Sequence, residues 1–183
     1  MVALIASLLA TSLETTSRLE LDDHQAASAQ TTGKQPLGYI DITYASDSIE
    51  QAAAGADSII VGKILNKVDV NKFDTRTNSV DATSKATVVV QKVLKGTAIS
   101  VGNIIEVQTV GNSQYIATNG ADLEVGKSAM LFISASDGKG RYETGYYIYG
   151  DGFGEYKQLL NGKYLSKFHG ELTENELMAK IKG

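Results

Sequence analysis

Residues 85–96, KATVVVQKVLKG, most constrain what this chain can fold into. Ala86, Val88 and Val90 point one way, and Thr87, Val89 and Gln91 the other. A period of two with one apolar face is a β-strand buried on one side, and the Lys95-Gly96 step ends it in a turn. Three more apolar runs suit the same sheet: 57–65 (DSIIVGKIL), 104–110 and 128–134 (SAMLFIS), the last apolar on both sides. Lys85, Lys92 and Lys95 bracket the central strand and read as charges that keep it soluble and correctly paired.

Taken in order, residues 1–16 form an apolar, signal-like or anchoring segment. Its core, MVALIASLLATSL, is shorter than the roughly 20 residues of a membrane span but suits a targeting element. Residues 17–38 are polar, carry the lone Pro36 and read as a linker. The folded domain is expected over 39–183. A short alternating segment (39–44) leads to a helix capped by Asp47, with Glu50 three residues on and Gly55 as its stop. Gly62 marks a bulge or bend in the first long strand. Residues 70–83 read as an exposed loop or an extended hairpin. Residues 111–126 read as a long polar connection and 141–149 as a tyrosine-rich strand. The C-terminal helix has Thr173 as cap, Glu176 as its capping-box partner and an apolar stripe of Leu177, Met178 and Ile181. The expected architecture is all-β: a five-stranded OB-like Greek-key barrel with short helices, including the C-terminal one.

The order ADSIIVGKI (56–64), VQKVLKG (90–96) and LEVGKSAMLFI (123–133) resembles the barrel of netrin-like domains, the group that includes the tissue inhibitors of metalloproteinases. It also resembles a set of uncharacterised exported bacterial proteins that end in a similar GDGFGEYK segment (150–157) and an ELTENEL helix (171–177). The resemblance covers residues 47–182 and implies a fold and an extracytoplasmic location, not a chemistry. Inhibitors of that group are expected to present an N-terminal cysteine to a target's zinc. This chain has no cysteine and carries some fifty residues before the barrel pattern, so that mechanism is closed to it.

The absence of cysteine also excludes disulfides, thiol nucleophiles and zinc–thiolate sites. Net charge is −4, without a basic run, so nucleic acid is not an expected partner. Residues 121–128 (ADLEVGKS) match a nucleotide loop only loosely. The strand follows the loop instead of preceding it, and Asp122 and Glu124 would repel phosphate. His24 and His169 read as linker and turn residues. The spacing of Asp69, Asp74 and Asp81 does not suit a calcium loop. Asp151 and Glu155 flank the GFG turn; acid–base work by such a pair is open in principle, but nothing in the sequence distinguishes them from solvated loop charges.

No catalytic residue, metal set or cofactor is therefore assigned. The one binding surface expected is aromatic: Tyr147, Tyr149, Phe153 and Tyr156, from a cluster that also holds Tyr142 and Tyr146 and of which at least half is expected in the core. The functional expectation is an exported or membrane-tethered, non-enzymatic binding domain of the cell envelope. Its partner would be a protein or an envelope polymer, met through loops 70–83 and 111–126 or the tyrosine face. Any membrane contact would be through the N-terminal segment alone. The alternatives are a subunit of a homo-oligomeric assembly packing through its N-terminal helix, and a carbohydrate-binding module using the tyrosine face.

Overall fold

Alternation along residues 79–95 is the organising fact of the three-dimensional structure as well. The structure, a computed structural model, describes residues 36–40, 48–74 and 78–182, all within one compact unit, Lys34–Gly183. The apolar segment 1–16, most of the linker, residues 41–44 and the expected cap Asp47 lie outside the described residues.

In chain order the elements are β1 (Gly38–Ile40), α1 (Ile49–Gly55), β2 (Ser58–Asp74), β3 (Ser79–Lys95), β4 (Ile104–Val110), β5 (Tyr115–Ala117), β6 (Ser128–Ser136) and β7 (Gly145–Ile148). A 3₁₀ turn (Asp151–Gly154), β8 (Glu155–Gln158), β9 (Tyr164–Ser166), β10 (Gly170–Leu172) and α2 (Glu174–Lys182) complete them. The chain is thus mostly β with a C-terminal helix, and its strands outnumber the expected five: ten among the described residues, eight of them in one sheet.

That sheet runs β10-β9-β8-β6-β2-β3-β4-β7, with β7 also pairing with β6. β2 pairs antiparallel with β3 and β6, and β3 antiparallel with β4. β7 runs parallel to β4 and antiparallel to β6. β1 and β5 form a separate two-stranded parallel pair.

Two apolar clusters explain why β2 and β6 have no polar face along their paired length. One takes residues from β2, β3, β4, β6 and β7: Ile60, Val88, Val107, Leu131 and Ile148 among them. The other gathers the residues that alternate with these, Ile59, Val61, Met130 and Phe132, against Ile49 and Ala52 of α1, Tyr156, Tyr164 and Leu177 of α2. Helices and β8–β9 cover the outer side of the two strands, so SAMLFIS is apolar on both. Ala86, Val88 and Val90 are fully buried, as their alternation predicts.

Local signals are met unevenly. Thr173 and Glu176 exchange reciprocal bonds: the Glu176 amide donates to Thr173 Oγ1 (3.2 Å) and the Thr173 amide to Glu176 Oε2 (2.7 Å). At α1 the cap is Ser48, not Asp47, because it is the Ser48 hydroxyl that accepts the Gln51 amide (3.2 Å). The ladder shifts register at Gly62, where a Cβ would collide with Val88 Cγ1. Of the two readings of residues 70–83, the hairpin is the one found: β2 and β3 stay paired out to Asp74↔Ser79. The tyrosine strand is shorter than expected, four residues instead of nine.

The bracketing lysines hold elements together. Lys95 Nζ donates to the carbonyls of Ala53 (2.6 Å), Ala54 (3.2 Å) and Ala56 (2.7 Å) at the end of α1. Lys85 pairs with Glu143 (2.5 Å) and Glu106 (3.5 Å), and Lys92 pairs with Glu174 at the start of α2.

Candidate functional site

Where β4 ends, the chain turns at Gly111, whose φ of +84° suits glycine. The Gly111 amide donates to Ala82 O (2.8 Å), and its carbonyl accepts from Ser84 Oγ (2.9 Å). Asn112 then fixes the following turn. Its Oδ1 accepts the amides of Gln114 (2.9 Å) and Tyr115 (3.0 Å), and its Nδ2 donates to Asn71 Oδ1 (2.7 Å). A loop tied down in this way forms one wall of a groove.

Three neighbouring cavities that share lining residues make up the groove. The first, about 290 Å³, lies among Lys67, Thr109, Asn112, Ile116, Asp122 and Lys167. It adjoins a second of about 400 Å³ through Gly120, Asp122 and Lys167. Glu155, Lys157, Leu165 and Ser166 complete the second, and Lys157 and Leu165 also line the third, of about 560 Å³. These volumes fall near the range of roughly 300–1,000 Å³ common for small-molecule sites.

Glu155 and Lys157, two residues apart on β8, share one face of that strand. Glu155 is 7% exposed. Its Oε2 accepts the Asp122 amide (2.7 Å), whereas Oε1 is buried without a hydrogen-bond partner among the described residues. Burial holds the Glu155 carboxyl above the ordinary glutamate range, against the opposing pull of the Asp122 amide and the Lys157 charge. Asp122 sits between two ammonium groups, Lys67 at 3.5 Å and Lys157 at 3.3 Å. Its burial favours the neutral acid, but the two lysines outweigh that and hold it below the ordinary aspartate range. Lys157 also reaches Glu124 (2.5 Å), and Lys167 donates to Thr118 O (2.6 Å).

Chemically, the lining of the three cavities carries three carboxylates, Asp122, Glu124 and Glu155, and four ammonium groups, Lys67, Lys127, Lys157 and Lys167. Ser166 and His169 touch at 3.3 Å, but Ser166 Oγ also accepts the Phe168 amide (3.2 Å), so the contact belongs to a local turn. Among the described residues no group of three or more His, Asp or Glu is placed to hold a metal.

The aromatic residues expected to bind do not share one surface. Tyr156 is fully buried, tilted against Phe132 with ring centroids 5.4 Å apart, so it presents no face to a ligand. Tyr149 is half-buried and packs on the α1 side of the sheet, so close to Gly55 that a Cβ there would strike its ring. Tyr147 is half-buried and stacks on Tyr142 at 4.8 Å. Phe153, in the 3₁₀ turn, stacks on Phe168 at 4.3 Å. These rings mostly satisfy one another.

Glu155 is not the solvated loop charge that the sequence suggests: it is buried and opens β8. It stands in a four-residue strand, too short for alternation to report a face, and its partner amide is 33 residues away. The chain matches no protein-family model and no curated protein sequence.

Proposed function

We propose that this chain is a non-enzymatic binding domain of the cell envelope, exported or tethered by its N-terminal segment, with the groove as its contact site. The observation that carries the reading is the groove itself, walled by a pinned loop and lined by Glu155, whose Oε1 is buried without a hydrogen-bond partner among the described residues. Buried polar groups are nearly always partnered, and an exception at the lining of a groove is what a binding role would account for. The apolar run at 1–13 supports the location.

The scaffold we infer is an OB-like, netrin-like barrel. Its support is the pairing circuit β6-β2-β3-β4-β7 and back to β6, with a parallel β4–β7 step and one apolar cluster drawn from all five strands. β8–β10 extend the sheet from β6 as an outer flap that supplies Glu155 and Lys157.

The test is co-sedimentation of the full chain with isolated bacterial envelopes. Pelleting with the envelopes, weakened several-fold by Lys167→Glu, is expected. A chain that stays in the supernatant, or that pellets equally well when Lys167 is reversed, would defeat the proposal.

A second reading, a subunit of an assembly, draws on the outer part of the β2–β3 hairpin. There Val68 and Phe73 are about half exposed, and Phe73 faces Val80 across the strands. Light scattering over a hundred-fold concentration range decides it: the reading requires oligomers that Phe73→Ser disperses, and a monomer throughout ends it.

A further inference from the structure

We propose that β1 is a releasable strand, and that the edge it leaves on β5 takes up the same segment, residues 36–40, from a second copy of this chain. Such an exchange needs neither a groove ligand nor the exposed Phe73 surface.

β1 is held lightly. It pairs only with β5, through Gly38↔Tyr115, Tyr39↔Ile116 and Ile40↔Ala117, in a two-stranded sheet apart from the main one. At its ends the Leu37 amide donates to Gln114 O (2.7 Å) and Ile40 O accepts the Thr118 amide (3.3 Å). Leu37 and Tyr39 are 71% and 69% exposed, and neither apolar cluster draws on β1. A lone strand pair without apolar burial is marginal, and such segments open at a free energy well below that of the whole fold. β5, by contrast, is fixed by other partners. Tyr115 O accepts the Asn112 amide (2.8 Å), the Tyr115 amide donates to Asn112 Oδ1 (3.0 Å), and Ala117 O accepts the Gly120 amide (3.1 Å). Release of β1 therefore leaves a formed strand edge, a template for pairing.

The edge is selective. Gly38 lies against the Tyr115 ring, and a Cβ there would come within 3.3 Å of Tyr115 Cδ1, tighter than ordinary packing. An incoming parallel strand must therefore be extended and carry glycine at that point. Residues 36–40 are the sequence that the edge is seen to hold, and a second copy brings it with every contact reproduced. Exchange of identical elements is for that reason a low-cost route to association. Concentration then decides between the two strands. Residues 41–48 link β1 to α1, and a short link of this kind presents its own strand at an effective concentration of about 1 mM. Exchange is expected at comparable protein concentration, or where copies are gathered on one membrane.

The chain has no cysteine, so single cysteines report the exchange. One full-length chain carries Tyr39→Cys and another Ile116→Cys, at exposed positions that face each other in the register. The two are mixed at about 1 mM under mild oxidation and the disulfide-linked heterodimer is followed by mass spectrometry. It is expected to form at least five-fold faster than the heterodimer of Tyr39→Cys with Val101→Cys, an exposed residue of the β3–β4 turn. Adding Gly38→Leu to the Tyr39→Cys chain, which sets a bulky side chain against Tyr115, should slow the 39–116 link at least five-fold. Equal rates for the two pairings, or a rate indifferent to Gly38→Leu, overturns the proposal.

Discussion

Glu155→Gln should stabilise the fold at neutral pH while it weakens binding, a combination that separates a ligand-directed carboxylate from a structural one. The wild-type side chain is buried with Oε1 unpartnered, a condition that costs about 1–3 kcal/mol for a polar group and more for a charged one. Glutamine keeps an oxygen for the Asp122 amide but accepts as a neutral group, and it loses the attraction of Lys157. Burial is the larger influence, since the folded-state pKa of Glu155 is raised. The charged form is therefore disfavoured in the fold, and neutralising it should yield a net gain on the order of 1 kcal/mol. For a chain of this size that is about 2–4 °C in Tm.

The sign of the pH dependence follows from the same shift. A carboxyl with a raised folded-state pKa binds its proton more tightly in the native state. Its contribution to stability therefore falls as pH rises from the ordinary glutamate range through the raised value, and the full cost is present above it. Below the ordinary range both states are protonated and the gap between wild type and variant closes. Urea unfolding followed by far-ultraviolet circular dichroism at pH 7 and pH 4 measures it. A variant less stable than wild type at pH 7, by the same margin at pH 4, would refute the reasoning.

Lys95→Met keeps the aliphatic stem but removes the ammonium that bonds three carbonyls at the end of α1, and should cost about 1–2 kcal/mol in urea unfolding. Gly62→Ala would drive a methyl into Val88 at the register shift, and about 1–3 kcal/mol of destabilisation is expected in thermal melts. Leu177→Ala empties the fully buried anchor of α2 and should cost about 2–5 kcal/mol, with hydrogen exchange accelerating in both helices.

Signals carried by neighbours in sequence were legible. The Thr173–Glu176 box spans three residues, and the buried face of β3 is printed in its alternation. The two-sided apolar character of residues 128–134 likewise pointed to cover on both faces, which the second cluster explains. The outer β2–β3 hairpin was only one of two readings because residues 70–83 carry no apolar period, and it is ladder pairing that keeps them in strands. Half or more of the aromatic cluster was expected in the core, with Tyr156 among those assigned to a binding surface. Tyr156 is nevertheless core, since β8 lies across β6 and turns that ring onto Phe132. Lys95 looked like a solubilising charge until the end of α1 came within its reach. Glu155 resembled a solvated loop charge for the same reason: its environment comes from Asp122, Lys157 and Lys67, and only the fold assembles them.

The most direct test of the groove as the binding site is an amide chemical-shift map of the full chain titrated with soluble fragments of bacterial envelopes. The largest changes are predicted at the Asp122 amide, which donates to Glu155, with Gly120 and Lys167 beside it. Changes confined to the β2–β3 hairpin or to Tyr147, with Asp122 unmoved, would contradict the account.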